Sequence, residues 1–154
     1  MLTIERTSEL AAPAPEVWRH ATSLAGINHE LAPYLRMTAP PELREVALDA
    51  MEVALGEPLF ASRALLFGVV PVERMQVTLV ELEPGRRFVE QSALLALPYW
   101  RHERTVDAVG TGSRLRDALA FRAPVAIAGP VLHRLLIALF THRHRRLRAL
   151  FGAA

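Results

Sequence analysis

The feature that most restricts the fold is a stretch of alternating polar and apolar residues between Pro98 and Pro124. Its sequence, PYWRHERTVDAVGTGSRLRDALAFRAP, alternates with a period of two on both sides of Val109 to Gly112. Such alternation is typical of half-buried β-strands, and a short break that contains glycine is typical of a hairpin turn. The stretch therefore predicts a β-hairpin of two antiparallel strands.

The position of the turn determines which residues of the hairpin lie opposite each other. With Gly110 and Thr111 at its centre, Asp107 faces Arg114 and Thr105 faces Arg116. Opposite charges then lie across from one another, as expected for a solvated face. The residues predicted on that face are Arg101, Glu103, Thr105, Asp107, Arg114, Arg116 and Arg122.

The other face of the hairpin carries a polar group within an apolar surface. By the two-residue period it consists of Trp100, His102, Arg104, Val106, Leu115, Asp117, Leu119 and Phe121. Arg104 is opposite Asp117, and His102 is diagonal to the same carboxylate. Because an unpaired buried charge is expensive, we expect these three side chains to pair with one another.

Three interpretations of this inward polar group remain open. It is a structural ion pair with a satisfied core histidine, or it is the polar anchor for a ligand in an apolar cavity. In the third interpretation it performs acid–base chemistry. His102 would then act as general acid or base oriented by Asp117, and Arg104 would stabilise an enolate oxygen.

The segment before residue 43 predicts a strand followed by two short helices. Residues 2–10 alternate as a strand, and Pro15 with Glu16 suits a helix start. The apolar side of that helix is predicted to comprise Val17, Trp18, Ala21 and Leu24. A second helix is predicted with Asn28 as its N-cap and the segment APP at 39–41 as its end. Its apolar residues would be Ile27, Leu31, Tyr34 and Leu35.

The remaining chain predicts another hairpin and one long helix. Two strands are expected around Pro84 and Gly85, and a helix from Gly129 to about Phe151. The apolar stripe predicted on that helix is Leu132, Leu135, Leu136, Leu139, Leu147 and Leu150. Residues 43–68 fit a helix or a strand equally well. The order of elements predicts an α+β fold with the sheet packed on the final helix.

The composition limits the possible partners and cofactors. All 18 basic residues are arginine, and 16 acidic residues leave a net charge of only +2. This balance and the lack of aromatic residues among the arginines argue against nucleic acid. The chain has no cysteine, which excludes thiolate zinc sites, and His142 and His144 diverge on a helix. Because no phosphate-binding loop or nucleophile elbow is present either, we predict no metal and no cofactor.

The chain is expected to form one cytoplasmic domain over residues 1–154, monomeric or homodimeric. Charged residues interrupt segment 1–10, where a signal peptide needs an apolar run. The most apolar segment, 123–140, is broken by a proline, a histidine and an arginine, so we predict no stable insertion into a membrane.

The basic end of the long helix, THRHRRLR, suits the negative helix terminus. Arg143 continues the apolar stripe, so it is expected either to reach over a cavity mouth or to pair with an inward acid. A basic amphipathic helix can also dock on an anionic membrane, but apolar residues that pack on the sheet are unavailable for that role. Packing on the sheet is therefore favoured.

Three segments resemble the START-related, polyketide cyclase/dehydrase and plant pathogenesis-related superfamily, SRPBCC. APAPEVWRHATSL resembles its opening, FVEQSALLALPYWRHERTVDAVGTGSRLRDALAF its later strands, and FTHRHRRLRALFG the end of its long helix. The resemblance implies a helix-grip fold, in which a curved antiparallel sheet of about six or seven strands wraps around the C-terminal helix and encloses an apolar cavity. The cavity wall would then comprise Trp100, His102, Arg104, Asp117, Leu119 and Phe121.

Three functional hypotheses follow from these patterns. The favoured one is binding or carriage of an apolar small molecule such as a lipid, quinone or polyketide, with Arg104, His102 and Arg143 engaging a polar group of the ligand. The second is a cyclase or dehydratase that uses His102, Asp117 and Arg104. The third is a module that binds a protein partner, for which an open groove lined by exposed apolar residues would be the sign.

Overall fold

The computed structural model describes residues 1–44, 46 and 53–154 of the chain. The strands found there are β1 (Leu2–Leu10), β2 (Leu35–Met37), β3 (Pro58–Leu66), β4 (Val70–Glu83), β5 (Arg87–Gln91), β6 (Ala93–Leu94), β7 (Tyr99–Val109) and β8 (Gly112–Arg122). The α-helices are α1 (Ala14–Thr22), α2 (Leu24–Leu31) and α3 (Gly129–Phe151). No helix in the described part of the chain is long and apolar enough to span a membrane.

The strands form one curved antiparallel sheet that packs on α3. Its order is β1-β8-β7-β5-β4-β3-β2, and β6 lies beside β4. The predicted α+β helix-grip architecture is confirmed, with two short helices directly after the first strand. Eight strands are described, where six or seven were expected. The two shortest, β2 and β6, have only 3 and 2 residues. Such short edge pairings leave almost no periodic signal in a sequence.

The register predicted for the hairpin β7–β8 is confirmed. Asp107 lies opposite Arg114, Thr105 opposite Arg116 and Arg104 opposite Asp117. The solvated ion pairs, however, form mostly with neighbouring strands. Glu103 and Arg116 do interact within the hairpin, at 3.5 Å between Oε1 and Nη1. The other ion pairs of this face are with carboxylates on β1 and β4 and with arginines in the β4–β5 turn and on β5, so the hairpin shares its charges with neighbouring strands.

The second short helix differs from the prediction at both ends. It is capped by Ser23, whose hydroxyl accepts a hydrogen bond from the Gly26 N–H at 3.0 Å. Asn28 is not an N-cap, because its side-chain amide binds both the N–H and the C=O of Met37. Tyr34 and Leu35 lie beyond the helix end at Leu31, and Leu35 begins β2.

The long helix has its predicted bounds, but its apolar stripe is only partly correct. The residues most buried along it are Gly129, Phe140, Arg143, His144 and Leu147. Leu135 is 61% exposed and Leu150 is 49% exposed, so neither belongs to the packed face. Arg143 lies on this face, as its place in the continuation of the stripe predicted. A hydrophobicity pattern could not include His144, because it is a polar residue that is buried by its contacts with Ser8 and Asp117.

The ambiguous region 43–68 is resolved in part. Its second half is the strand β3, which pairs with β4 from Phe60↔Val77 to Leu66↔Val70. A short 3-10 helix covers Pro41–Leu43. Residues 45 and 47–52 lie outside the described residues, so the helix or strand alternative stays a prediction there.

Two apolar clusters form the core on either side of the Arg104–Asp117 pair. Val106 and Leu115 pack with Leu10, Val17, Trp18, Leu79, Phe88 and Leu147. Leu119 and Phe121 pack with Ile4 and Phe140. The hairpin register puts Arg104 and Asp117 between these two levels of apolar residues. The pair is therefore surrounded by packed side chains, where an unmet hydrogen bond is costly.

Candidate functional site

A cavity of about 910 Å³ lies between the sheet, α2 and α3. Most of its lining side chains are aliphatic or aromatic, contributed by α2, α3 and the strands β2 to β5 and β7. Sites for small molecules are typically concave, about 300–1,000 Å³ in volume, and mostly apolar with a few polar groups. This cavity has the size and lining of such a site.

The lining residues range from fully buried to exposed. Arg104, His102 and Arg143 are buried, whereas Tyr34 and Leu135 are exposed and mark where the cavity meets solvent. These three buried residues belong to one cluster of charged and histidine side chains from α2, β7, β8 and α3. We name Glu30, His102, Arg104, Asp117, Arg143 and His144 the inner polar cluster.

Arg104 is the centre of the inner polar cluster, and each of its five N–H groups has a partner. Its Nε and Nη2 donate to Asp117 at 2.7 and 2.9 Å. Its Nη1 and Nη2 also donate to the two oxygens of Glu30, at 2.9 and 2.6 Å. The last N–H of Nη1 donates to the Ala21 carbonyl at 3.3 Å. Arg104 therefore has no donor left for a ligand.

Asp117 accepts four hydrogen bonds, which determine the tautomers of two histidines. His102 Nε2 lies 2.8 Å from Oδ1, and His144 Nε2 lies 2.8 Å from Oδ2. An ionised carboxylate only accepts, so both Nε2 atoms carry the proton. The Ser8 hydroxyl lies 2.7 Å from Nδ1 of His144 and itself accepts from Arg148 Nη1 at 2.9 Å. This chain of hydrogen bonds is complete from Arg148 to Asp117.

Glu30 links the inner polar cluster to the C-terminal helix. Arg143 Nε donates to Glu30 Oε1 at 3.1 Å. The predicted alternative in which Arg143 pairs with an inward acid thus corresponds to the observed contact. Its guanidinium carbon also lies 5.0 Å from the centre of the Phe140 ring, within cation–π range. Among the described residues, the two Nη atoms of Arg143 have no hydrogen-bond partner.

The charges of the inner polar cluster hold both of its carboxylates ionised. Burial alone would raise the pKa of Asp117, but the charge of Arg104 and hydrogen bonds from Arg104, His102 and His144 hold it well below its usual value. Burial would likewise raise the pKa of Glu30, but Arg104 and Arg143 lower it. For Arg143, burial lowers the pKa, and repulsion from Arg104 opposes the attraction of Glu30. The two carboxylates and the two guanidinium groups of the cluster balance in charge.

Two further buried polar groups of the cavity wall are available to a ligand besides the Nη atoms of Arg143. One is Nδ1 of His102, a lone-pair acceptor in the tautomer fixed by Asp117, with no partner among the described residues. The other is the carboxylate of Glu90, which lies directly opposite His102 on the neighbouring strand. Glu90 accepts from the Ser92 hydroxyl at 2.8 Å and from the Trp100 indole N–H at 3.3 Å. The wall thus offers donors at Arg143 and acceptors at His102 and Glu90.

The predicted ligand-binding residues fall into two groups. Trp100, His102, Arg104 and Arg143 line the cavity. Asp117, Leu119 and Phe121 were expected to line it as well, but they are not among its lining residues. They share the inward face of the sheet, where Phe140 of α3 packs on Leu119 and Phe121 and His144 covers Asp117. They form the layer beneath the site.

A match to a family model identifies the chain. The model, described as a domain of unknown function (DUF8410), matches residues 8–151. The chain belongs to this family. Among curated proteins, no sequence matches it.

Solved structures share the fold of this DUF8410 domain at low sequence identity. Protein CV1439 from Chromobacterium violaceum is 15% identical, with all of both chains covered and a TM-score of 0.71. A START superfamily protein from Mycobacterium smegmatis is 10% identical over 97% of this chain and 96% of that one, with a TM-score of 0.61. Ara h 8.0201 is 9% identical over 96% and 98% of the two chains, with a TM-score of 0.57. The DUF8410 domain therefore has an SRPBCC-type fold, which confirms the resemblance read from the sequence.

The sequence interpretation missed Glu30, Glu90 and His144. Glu30 and Leu31 follow Ile27 by three and four residues, so the helical period put an acid on the packed side of α2. His144 likewise lies four residues after Phe140 and three before Leu147. A charged or polar residue in a predicted apolar stripe was the available signal in both cases. Glu90 alternates with buried Val89 in a strand buried on both faces, where the two-residue period gives no signal.

Proposed function

We propose that this DUF8410 domain binds an apolar small molecule in its cavity, with the polar end of the ligand at Arg143 and His102. The observation that carries the proposal is the guanidinium group of Arg143. It is buried at the cavity wall, and its two Nη atoms have no partner among the described residues. A guanidinium group at an apolar cavity wall, with donors that open into the cavity, favours a ligand oxygen such as a carboxylate or carbonyl.

In this proposal Arg104 has a structural role and is not a ligand anchor. All five of its donors bind Glu30, Asp117 and Ala21, so a ligand oxygen could replace none of them without leaving a buried carboxylate unpaired. Arg104 would instead hold Glu30 and Asp117, which in turn orient Arg143 and His102. The volume and the apolar lining of the cavity favour a small ligand over a protein partner.

A second candidate function is acid–base catalysis by His102. The hydrogen bond from Nε2 to Asp117 would leave the Nδ1 lone pair of His102 as the base on the cavity wall, beside Glu90. Arg143 would take the role first assigned to Arg104, because only Arg143 has donors free to stabilise an enolate oxygen. The reaction type, a cyclisation or dehydration of a polyketide-like substrate, stays the hypothesis drawn from the sequence.

Native mass spectrometry of the purified protein, followed by extraction of any bound molecule, tests the binding function. Calorimetric titration with hexadecanoic acid and hexadecanol then tests the anchor, since the two probes share the apolar chain and differ in the head group. We expect the acid to bind more tightly. Arg143→Met should weaken acid binding by about tenfold or more and leave the alcohol unchanged.

Arg134→Met is the matched control, because Arg134 is exposed on the same helix and does not line the cavity. It should change neither titration. Equal binding of both probes by the parent protein and by Arg143→Met would remove Arg143 as the anchor. If no molecule is extracted and neither probe binds, the binding function itself is wrong. Turnover that His102→Ala abolishes while the fold persists would favour the second candidate.

A further inference from the structure

The turn between β3 and β4 is apolar over an unusually long run. Residues 65–72, LLFGVVPV, include no polar side chain. Phe67 is 63% exposed and Val69 is 74% exposed, and Val70 and Val72 are also exposed. Exposed runs of apolar residues are avoided in soluble proteins unless they serve a function, and hairpin turns normally carry polar residues. This turn is therefore a candidate contact surface.

The backbone of the turn is also unfavourable for its sequence. Its two central residues, Phe67 and Gly68, both have positive φ, at 52° and 77°. Turns of this kind prefer Asn-Gly, and a bulky residue with positive φ is an outlier. The chain thus keeps an aromatic side chain at the tip of the hairpin at the expense of local conformational energy. Such an outlier favours a function for the Phe67 side chain itself.

Three arginines lie near the apolar turn. Arg63 and Arg74 lie directly opposite each other on β3 and β4, and both are exposed. Arg36 on β2 reaches the turn, with Nη2 3.4 Å from the Gly68 carbonyl. In the described part of the chain none of the three pairs with a carboxylate. The nearest acid in sequence, Glu73, accepts hydrogen bonds from the backbone N–H groups of Leu95 and Ala96.

The apolar turn adjoins the mouth of the cavity. Leu66 and Val72 line the cavity and are exposed at the same time. Tyr34 also lines it, and its ring packs edge-on against Phe67, with ring centres 6.4 Å apart. Tyrosine is enriched where protein meets the boundary between lipid head groups and acyl chains. The exposed apolar surface and the cavity are therefore continuous.

We propose that the β3–β4 turn docks the protein on an anionic phospholipid surface. Phe67 and Val69 enter the boundary between head groups and acyl chains, and Arg36, Arg63 and Arg74 meet the phosphates. The pairing of an apolar tip with unpaired arginines fits lipid, because either attraction alone gives only weak and reversible binding. A docked protein would have its cavity mouth at the membrane surface.

Sedimentation with lipid vesicles tests this docking. Vesicles of phosphatidylcholine alone are compared with vesicles that contain about one third phosphatidylglycerol, at low and high salt. We expect binding to the anionic vesicles that weakens with salt. Phe67→Asn should reduce the partition coefficient by about tenfold or more, because it removes the largest apolar side chain at the tip. The thermal midpoint should stay the same or rise, since asparagine suits positive φ.

Val69→Ser and Val109→Ser form a matched pair. Val109 is exposed at the tip of the hairpin β7–β8. Arg87, the first residue after the β4–β5 turn, lies opposite Thr105, so this tip is at the same end of the sheet as the β4–β5 turn. The β3–β4 turn is at the other end of β4 and therefore at the opposite end of the sheet. Val69→Ser should weaken vesicle binding, and Val109→Ser should not. The double variant Arg63→Gln with Arg74→Gln should reduce the preference for anionic vesicles.

Three results would overturn the proposal. They are no sedimentation with either vesicle, equal sedimentation with both, or unchanged binding by Phe67→Asn. If Phe67→Asn instead abolishes self-association of a protein that ignores vesicles, the surface binds a second copy of the chain. Arg143→Met should bind vesicles like the parent protein, so failure of the ligand anchor and failure of the docking surface are distinguishable.

Discussion

The two faces of the hairpin β7–β8 use arginines and carboxylates in opposite ways. On the outer face, Arg116 contacts Glu5 at 2.9 Å and Glu103 at 3.5 Å, and all three side chains are at least a quarter exposed. On the inner face, Arg104 contacts Asp117 at 2.7 Å, and both side chains are fully buried. The two arginines are on adjacent strands of one hairpin, yet water can replace the partners of Arg116 and none of the partners of Arg104.

The difference lies in what remains after a partner is lost. An exposed arginine that loses a carboxylate is hydrated again, so its ion pair contributes little. A buried guanidinium that loses a carboxylate keeps its charge without solvent, which is strongly destabilising. The inner polar cluster should therefore decide the stability of the fold, and the outer ion pairs should affect mainly solubility. The predictions below test this contrast from the largest effect to the smallest.

Acidification should have the largest effect on stability because it protonates both buried carboxylates and so removes both of their negative charges. The pKa values of Asp117 and Glu30 are lowered in the folded protein, whereas in the unfolded chain they are about 4. The stability they contribute is complete above that unfolded value and is lost as the pH falls toward the folded pKa values. We expect cooperative acid unfolding, measured by far-UV circular dichroism against pH. Stability that stays constant from about pH 5 to pH 3 would contradict this.

Asp117→Asn should be the most damaging single substitution at neutral pH. The amide cannot accept the four hydrogen bonds that Asp117 receives, and the charge that balances Arg104 is lost. We expect a loss of about 3–5 kcal/mol in the free energy of unfolding, measured by urea denaturation. Asp107→Asn is the matched control on the outer face, where Asp107 forms an exposed ion pair with Arg86. A similar loss in both variants would contradict the contrast between the faces.

The sequence was sufficient for the inner pair because the hairpin is local. The turn at Gly110 and Thr111 sets the register, and a period of two then puts Arg104 opposite Asp117. The bounds of β1 and α3 were equally predictable, since alternation in one and prolines and glycines around the other mark their ends. These elements depend on contacts or caps within a few residues.

The rest of the site could not be predicted because it is assembled from distant elements. Glu30 reaches Arg104 across 74 residues, and His144 reaches Asp117 across 27. No periodicity links such positions. The predicted bounds of α2 were wrong for a related reason: Asn28, a good cap by type, binds Met37 instead, nine residues away. For Leu119 and Phe121, the face was predicted correctly, but the covering by Phe140 depended on how α3 packs.

Glu30→Gln should have a smaller effect than Asp117→Asn. Arg104 retains Asp117, but the new amide N–H₂ would face the donors of Arg104 or Arg143. We expect a loss of about 2–3 kcal/mol by urea denaturation. Glu57→Gln is the control, because Glu57 is exposed. Since Glu30 also orients Arg143, the variant should lose the preference for hexadecanoic acid over hexadecanol, which a purely structural role would not change.

Arg116→Gln should have the smallest effect, although it removes contacts to two carboxylates. Glu5 and Glu103 can both be hydrated when Arg116 is lost, so Tm should fall by no more than about 3 °C. Salt provides the sharper comparison. The Debye length falls to about 3 Å at 1 M, which screens exposed pairs but not buried ones. The small effect of Arg116→Gln should therefore vanish in high salt, while that of Asp117→Asn persists. If salt removed both effects equally, water would reach the inner polar cluster, and its proposed role in orienting Arg143 and His102 would be wrong.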